Sequence, residues 1–565
     1  MAEPHCQYIP SATLFHFQQF PFPKQMFECY FTILNPFLVN TSPTNTEIYQ
    51  ALSIVLSITS RLMDFLLPYT VMFFSIIILL LSTFLLKRSA LKNLRLPPGP
   101  WPLPIIGNLH CLIGSLPHRA LRDLSQQYGP LLLLQLGETP TIIASSIEAS
   151  REILTTHDVN FASRPISPTV HILSGGGKGI AFSSYGEYWR HVRKICVVEL
   201  LSNKRVQSFR PIREEEVNNL VRNIYTSASS GQFINLHEVL TMLANDITVK
   251  TVVGSKCKDP DVFLKELDNI VEIATGFSLV DLYPSSWLLR LISKRLDDAK
   301  RCHKKVCQFF DGIIRQQRER KSTRGDGVSE DFLSVLLRIH DEDNEKIPID
   351  INDVKAIITD MVAGGIETTS RTLEWAMTEL IRNYRVMRKA QTEVRELLKG
   401  CATVSESDLV RLNYLHLVIK ETLRLHPPLP LLVPRQCSET CRIIGYDIPK
   451  GATVIVNMWA IGRDPQYWED PEEFKPERFA TSNVDFRGTD FQFLPFGSGR
   501  RMCPGMSFGL ASLELALAAL LYHFDWKLPG NVKPEDVDMS EAPYVIVRKK
   551  TPLLLHAVRH EPDSA

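Results

Sequence analysis

A single cysteine in a glycine-rich loop is the side chain best suited to chemistry in this sequence. The stretch FLPFGSGRRMCPG, residues 493–505, brings Cys503 to the start of an apolar run with the pattern of a helix. Backbone N–H groups and the positive end of a helix stabilise a thiolate, the form of cysteine that binds metals. Pro504 suits the first turn because it has no N–H group to leave unpaired. The loop therefore predicts a metal-binding thiolate at Cys503.

An acid and a hydroxyl lie side by side in a second segment, AGGIETTS, within a helical pattern that runs over residues 351–383. Two adjacent glycines destabilise a helix by roughly 1 kcal/mol each relative to alanine, which indicates a locally opened turn. Thr368 follows Gly364 by one turn, so its hydroxyl can donate to that carbonyl. With Glu367, it predicts a proton route into a dry pocket. The alternative for this segment alone is a kinked helix without chemistry.

The cysteine loop resembles the haem-binding signature Phe-x-x-Gly-x-Arg-x-Cys-x-Gly of the cytochrome P450 family. The matching residues are Phe496, Gly499, Arg501, Cys503 and Gly505. The resemblance implies that Cys503 is the axial ligand of haem b (iron protoporphyrin IX). It also implies that Phe496, Arg501 and Gly505 contact the haem, with the arginine on a propionate. Glu367 and Thr368 match the family's catalytic helix motif, which supplies protons for cleavage of the O–O bond.

Further residues match family positions that hold the haem or its surroundings. Haem propionates are carboxylates, which favour arginine and indole N–H partners. By resemblance these partners are Trp189, Arg193 and Arg435, while Glu421, Arg424 and Arg478 form a structural charge triad. Glu421 and Arg424 are three residues apart on one helix turn and can pair directly.

Other site types fit the sequence poorly. The Gly497-x-Gly499 pattern lacks the third glycine of a dinucleotide site, because Met502 stands there, and SGGGKG at 174–179 lacks the Ser or Thr of a phosphate-binding loop. The 11 cysteines contain no Cys-x-x-Cys pair, which argues against a zinc ribbon or an iron–sulfur cluster. A net charge of +1 gives no reason to expect a nucleic-acid partner.

The elements that must position these residues are mostly helices. At 565 residues and 44% hydrophobic content, the chain can bury a large core. Long amphipathic helical patterns dominate, with short strand-like runs at 131–136, 141–144 and 453–456. The expected fold class is mainly α with a small β portion, the cytochrome P450 fold by resemblance, plus an N-terminal transmembrane helix.

The N-terminal region divides into three predicted segments. Residues 66–86 are almost wholly apolar and long enough to span a bilayer, and Lys87 and Arg88 follow them. We therefore expect an extension at 1–62 that is disordered or a misassigned translation start, an anchor at 63–88, a basic and proline-rich hinge at 89–110 and the catalytic domain at 111–565. The positive charges after the span predict a single pass with a cytoplasmic catalytic domain. By resemblance the membrane is that of the endoplasmic reticulum.

The resemblance covers residues 63–556 and is greatest to plant A-type microsomal enzymes. It implies a monooxygenase that oxidises a lipophilic small molecule, such as a terpenoid, with O2 and electrons from an NADPH-cytochrome P450 reductase. The residues expected to meet that reductase are Arg190, Lys194, Lys204 and Arg205. The alternatives are a haem-thiolate isomerase or dehydratase that needs no reductase, and a haem sensor. Glu367 and Thr368 favour the monooxygenase.

Overall fold

The computed structural model describes residues 45–90, 94–274, 278–321, 330–342 and 347–560. The chain divides into two compact units, residues 1–89 and 90–565. Most of the predicted extension, residues 1–44, and residues 91–93 of the predicted hinge lie outside the described residues. The proposed division into extension, anchor, hinge and catalytic domain stays a prediction.

The first unit contains one long helix, α1 (Asn45–Ala90), with Pro68 inside it. It begins before Met63 and includes the whole predicted anchor. Within its described side chains, the window Ser53–Ser75 has a mean hydropathy of 1.3 and is 0% buried, so by length and composition it is a candidate membrane span. The side chains of residues 76–90, which belong to the predicted span, lie outside the description.

The second unit is mainly helical, as predicted. Its α-helices over the described residues are α2 (Pro117–Tyr128), α3 (Ile147–Arg151), α4 (Pro168–Leu173), α5 (Glu187–Lys194), α6 (Asn203–Ser208), α7 (Arg210–Ser229), α8 (Leu236–Val253), α9 (Pro260–Ile273), α10 (Leu279–Leu282), α11 (Trp287–Ile292), α12 (Lys294–Lys321), α13 (Phe332–Glu342), α14 (Ile351–Arg382), α15 (Tyr384–Leu397), α16 (Glu406–Leu409), α17 (Asn413–Leu425), α18 (Met458–Ile461) and α19 (Met506–His523).

The strands of the second unit are short and form small sheets. They are β1 (Leu131–Leu136), β2 (Thr139–Ala144), β3 (Ile234–Asn235), β4 (Arg435–Gln436), β5 (Cys441–Ile443), β6 (Tyr446–Ile448), β7 (Thr453–Val456), β8 (Phe524–Lys527), β9 (Glu541–Ala542), β10 (Arg548–Lys549) and β11 (Leu554–Arg559). The largest sheet has the order β1-β2-β7-β4, with β1 and β2 antiparallel and β2 and β7 parallel. The three strands predicted from sequence are thus confirmed, although β2 starts at Thr139.

The proline-rich segment before the catalytic body lies against the largest sheet. The Leu133 N–H donates to the Pro98 carbonyl at 2.9 Å, and the Asp447 N–H donates to the Arg95 carbonyl at 2.7 Å. A Cβ on Gly99 would lie 2.0 Å from the Leu133 carbonyl oxygen, so only glycine permits this approach. The segment is extended, as its prolines predict, but it packs along β1 and is not a free spacer.

Helix α14 crosses the core and places the catalytic motif at its middle. Asp350 caps its start in a capping box with Asp353, which satisfies backbone donors that the first turn leaves unpaired. Gly365 allows α8 to pack closely, because a Cβ there would lie 2.8 Å from the Thr248 side chain. Helix α19 is apolar enough to resemble a membrane span, but 67% of it is buried in the protein, so it is a core helix.

Candidate functional site

The cysteine loop turns sharply before α19 and is closed by backbone contacts. Gly499 has φ +70°, and a Cβ on it would lie 2.0 Å from the Leu154 carbonyl oxygen. The Cys503 N–H donates to the Phe496 carbonyl at 2.9 Å, which fixes the cysteine relative to the start of the loop. The Phe496 ring meets Phe486 edge to face at 5.7 Å. Glycine is therefore needed at 499 for both conformation and space.

The Cys503 thiol faces an internal space. Cys503 has a large accessible surface, although many protein atoms surround its thiol. Both observations hold only if the residue borders a cavity inside the protein. Burial raises the pKa of the Cys503 thiol, while the Gly505 N–H and the charge of Arg193 oppose that shift. The loop thus acts to lower the pKa of Cys503, as expected, but burial raises that pKa by more. Binding to iron would release the proton.

The middle of α14 also faces an open space. Gly364 is exposed between buried residues Val362 and Ile366, and nothing lies within 4 Å of where its Cβ would be. The Thr368 hydroxyl donates to the Gly364 carbonyl at 2.6 Å, which confirms the hydrogen bond predicted from their spacing. Ala363 is partly exposed beside them. This turn therefore presents a hydroxyl-bonded carbonyl beside internal space.

Glu367 lies in a buried charge network. The side chain is 2% exposed, and its Oε2 accepts from Arg371 Nη2 at 3.2 Å and from Arg548 Nη2 at 3.0 Å. Arg371 also contacts His237 on α8, which pairs with Glu374 at 3.1 Å. The Glu367 carboxylate thus binds these cations, and within the described residues it makes no hydrogen bond to Thr368.

Four arginines converge near the cysteine loop, of which three are buried and Arg193 is partly buried, and we refer to Arg164, Arg193, Arg435 and Arg501 as the arginine cluster. Burial, and then the charges of Arg435 and Arg193, lower the pKa of Arg501 to about 9. Burial and the other three members also depress the pKa of Arg164. Asp158 pairs with Arg435 at 3.1 Å. One carboxylate beside four cations leaves an excess of positive charge that suits a group with two carboxylates.

The predicted propionate partners are brought together, but several of their donors bind protein carbonyls, since Arg501 donates to the Ala162, Ile180 and Ser183 carbonyls. The Arg501 guanidinium lies 4.1 Å from the centre of the Trp189 ring, and that of Arg193 lies 5.6 Å from it. Arg193 Nη2 donates to the Met502 carbonyl at 2.7 Å, next to the cysteine. However, the Trp189 indole N–H donates to the Ile180 carbonyl at 3.1 Å, whereas the sequence suggested a propionate.

The residues predicted to form the structural triad are in contact. Arg424 makes two bonds of 2.8 Å to the Glu421 carboxylate, and Arg478 Nε lies 3.0 Å from Glu421 Oε1. The Arg424 and Glu421 side chains are fully buried. Arg424 Nη1 also donates to the Gly462 carbonyl at 2.7 Å, which ties α17 to the segment that follows α18.

Two residues of the site were missed by the sequence analysis. Arg164 donates to the Ala181, Val433 and Pro434 carbonyls, which belong to two segments far apart in the chain. Asp360, one turn before Gly364, accepts from the Ile180 and Ala181 N–H groups at 2.8 and 3.0 Å. A charged residue inside an otherwise apolar helix face was the available signal for Asp360.

These residues fit the haem that the sequence predicts. The Cys503 thiol and the open turn of α14 border internal space, and members of the positively charged arginine cluster contact the cysteine loop. The expected donors are a soft sulfur for iron and arginines for carboxylates.

Comparisons with known proteins agree with this geometry. The family model "Cytochrome P450" matches residues 97–556. Desmethyl-deoxy-podophyllotoxin synthase of Sinopodophyllum hexandrum is 47% identical, over 86% of this chain and 96% of its own length. 5-Epiaristolochene 1,3-dihydroxylase of Nicotiana tabacum is 45% identical, over 86% of this chain and 98% of its own. A zebra fish cytochrome P450 structure with progesterone has a TM-score of 0.68 at 27% identity, and the match covers 79% of this chain and 100% of that one. The chain belongs to the cytochrome P450 family and is a haem-dependent monooxygenase.

Proposed function

We propose that the Cys503 sulfur would bind the haem iron of a monooxygenase that oxidises a plant specialised metabolite of terpenoid type. The observation that carries this proposal is the position of the Cys503 thiol, which faces internal space beside the arginine cluster. Haem iron held by a thiolate supplies O2 binding and favours cleavage of the O–O bond. In the overall reaction, substrate, O2, NADPH and one proton give hydroxylated substrate, NADP+ and water.

The protein's own residues hold the cofactor and move protons. Arg501, Arg193 and Arg435 would bind the propionates, and Phe496 and Gly505 would contact the porphyrin beside the ligand. Trp189 supports Arg501 through its ring face. In the proposed relay, the buried Glu367 supplies a proton to Thr368. The Thr368 hydroxyl, which is held by the Gly364 carbonyl, passes that proton across the open turn. Glu421, Arg424 and Arg478 hold the scaffold under the loop.

The substrate class rests on the pocket walls and on the relatives. The expected walls are residues 165–183, 431–433 and 543–545 with Ile358, Met361 and Ala363 on α14, which are mainly apolar. An apolar pocket with few polar groups favours a lipophilic scaffold. The tobacco relative's name specifies hydroxylation of 5-epiaristolochene, whereas the Sinopodophyllum relative's name specifies a different product. We favour a terpenoid over a charged substrate. The charged group on the described pocket face of α14 is Asp360, and its carboxylate already accepts from two backbone N–H groups.

The proposed electron donor is an NADPH-cytochrome P450 reductase that docks beside the cysteine loop. Arg190 and Lys194 are exposed on α5, the same helix that carries Arg193 next to Met502. Lys204 is exposed on α6, and Asn203 beside it accepts from Ser507 at the start of α19. Arg205 is partly buried and donates to the Glu199 carbonyl. Three exposed cations near the ligand loop suit an acidic partner.

The proposed location is the endoplasmic reticulum membrane, crossed once, with the catalytic unit in the cytoplasm. Lys87 and Arg88 after the apolar run support this orientation. The catalytic unit also exposes an apolar patch on α11, where Trp287 is 74% and Leu291 is 75% exposed. Trp101 and Ile105 are 66% and 60% exposed in the proline-rich segment. Tyr283 joins the two regions through a 2.9 Å hydrogen bond to the Ile105 carbonyl. A patch of this kind suits contact with lipid.

A reconstituted assay tests the proposal. Microsomes that contain the protein and reductase receive NADPH and a panel of terpenoids, phenolics and charged acids, and both haem spectral shifts and products are measured. We expect shifts and products with terpenoids only, and only when reductase and NADPH are present. Turnover without reductase would identify an isomerase or dehydratase. A carbon monoxide complex without any turnover would identify a sensor, and preference for charged acids would overturn the substrate class.

A further inference from the structure

The Glu367 carboxylate shares a partner with a second carboxylate near the surface. Arg548 Nη2 lies 3.0 Å from Glu367 Oε2 and 2.9 Å from Asp268 Oδ1. The three residues come from separate elements, since Glu367 is on α14, Arg548 on β10 and Asp268 on α9. One guanidinium nitrogen therefore bridges a buried acid and an acid on another helix.

Exposure differs greatly along this chain of charges. The Glu367 side chain is 2% exposed, that of Arg548 is 9% exposed, and that of Asp268 is 50% exposed. The chain of charges thus runs from solvent to the catalytic helix through one cation. The Arg548 guanidinium also lies 4.5 Å from the centre of the Tyr544 ring, which limits where it can move.

The position of Arg548 matters for the chemistry of Glu367. A carboxylate that accepts from two guanidinium groups is held in one orientation, and Glu367 Oε2 is directed at these two cations and not at Thr368. To take part in a relay with Thr368, Glu367 must loosen at least one of these two contacts. Arg371 lies one turn further along the same helix, whereas Arg548 comes from β10 and already contacts a second carboxylate, Asp268, towards which it can turn.

We propose that Arg548 is a positioning residue for proton delivery, which restrains Glu367 and is drawn away from it by Asp268. This inference rests on the proposed role of Glu367 in the relay. Attraction to Asp268 weakens the hold of Arg548 on Glu367, so the position of α9 sets how readily Glu367 turns towards Thr368. The charged and titratable groups that face this network are His237 on α8, Arg371 and Glu374 on α14, and Asp268 on α9.

The central experiment replaces Asp268 by asparagine. Without the competing charge, Arg548 binds Glu367 more firmly, so Asp268→Asn is expected to lower the ratio of product formed to NADPH consumed by about two- to five-fold. The solvent deuterium isotope effect on product formation should rise, because a proton step becomes slower. Asp261→Asn, a change at another exposed acid of α9, is the control and should leave both values unchanged. The carbon monoxide spectrum and the melting temperature check that haem ligation and folding are intact.

Two further variants make the outcome decisive. In Arg548→Gln the Asp268→Asn change should have no additional effect, since the bridge is already lost. If Arg548→Gln does not fold, Arg548→Lys replaces it, and there the Asp268→Asn effect should shrink by more than half because an ammonium lacks the forked geometry. Wild-type ratios in Asp268→Asn, or an undiminished effect in the Arg548 variants, would overturn the inference.

Glu367→Gln distinguishes the relay role of Glu367 from the positioning role of Arg548. If it leaves the ratio unchanged, the relay role of Glu367 fails and the inference fails with it. If it lowers the ratio while Asp268→Asn does not, the relay stands and only the role of Arg548 is rejected.

Discussion

The Thr368 hydroxyl and the Gly364 carbonyl are joined by a 2.6 Å hydrogen bond at a turn of α14 that borders open space. The bond holds the hydroxyl in one place while the glycine keeps the adjoining volume free. A hydroxyl fixed at an open turn of the helix is an arrangement that suits proton transfer away from bulk water.

Thr368→Ala should uncouple electron use from product formation. The change removes the hydroxyl but little volume, so folding and haem ligation are expected to survive. Oxygen should then leave as hydrogen peroxide, and the ratio of product to NADPH consumed should fall by about ten-fold or more. Thr368→Ser keeps the hydroxyl and serves as the control. An unchanged ratio in the alanine variant would remove Thr368 from the mechanism.

Cys503→Ser should abolish thiolate ligation of the haem. Serine is a poor soft ligand and stays protonated near neutral pH. The reduced carbon monoxide complex should therefore lack the absorption position that is typical of a thiolate ligand. Cys401→Ser, at an exposed cysteine elsewhere in the chain, should keep the wild-type spectrum. A thiolate spectrum in the Cys503 variant would exclude Cys503 as the ligand.

Glu421→Ala should destabilise the fold without touching the pocket. Arg424 would be left fully buried with its charge uncompensated, which costs about 3 to 5 kcal/mol. Urea unfolding of the haem-loaded protein measures this loss. Glu469→Ala, at a side chain that is 84% exposed, should change the free energy of unfolding by less than about 0.5 kcal/mol. Equal stability of the two variants would contradict a structural role for the triad.

Asp360 should make stability depend on pH. Burial raises the pKa of Asp360 to about 6 from the ordinary value of 3.8. The folded chain then binds more protons than the unfolded chain between these values, so the contribution of Asp360 to stability falls as pH rises through this window. Asp360→Asn removes that titration, so its melting temperature relative to wild type should increase from pH 4 to pH 6. Burial also raises the pKa values of its neighbours Tyr188 and Cys196, which stay neutral in this range. A constant difference between the two proteins across this range would show that Asp360 has an ordinary pKa.

A chain shortened to begin at Met63 should still reach the endoplasmic reticulum and remain active. It keeps the predicted span at 66–86 but loses the first part of α1, including much of the window Ser53–Ser75. Membrane fractionation and the turnover assay provide the measurement. Failure to reach the membrane would show that the span begins upstream and that the residues before Met63 are required.

The local features of the site could be predicted because each depends on a short stretch of chain. The cysteine turn requires glycine at 499, and the Thr368 to Gly364 bond follows from helical spacing. The Glu421 to Arg424 pair follows from the same geometry. Neighbours on one turn are set by backbone periodicity, which the sequence displays directly.

The contacts that sequence reasoning missed join distant parts of the chain. Arg548 meets Glu367 from the C-terminal strands, and Asp360 meets the backbone at 180 and 181. The Trp189 N–H donates to the Ile180 carbonyl. The segment around residue 180 lies between α5, α14 and the cysteine loop. Such pairings depend on how the elements pack, which a single sequence does not specify.

The arginine cluster also bears on how the protein is made. Arg164, Arg193, Arg435 and Arg501 lower one another's pKa by mutual repulsion, and Asp158 offsets only part of that repulsion. A ligand that binds only the folded chain stabilises it by mass action. Haem supply during synthesis should therefore set how much folded protein accumulates, and a host short of haem should degrade the chain instead of storing it as an intact apoprotein.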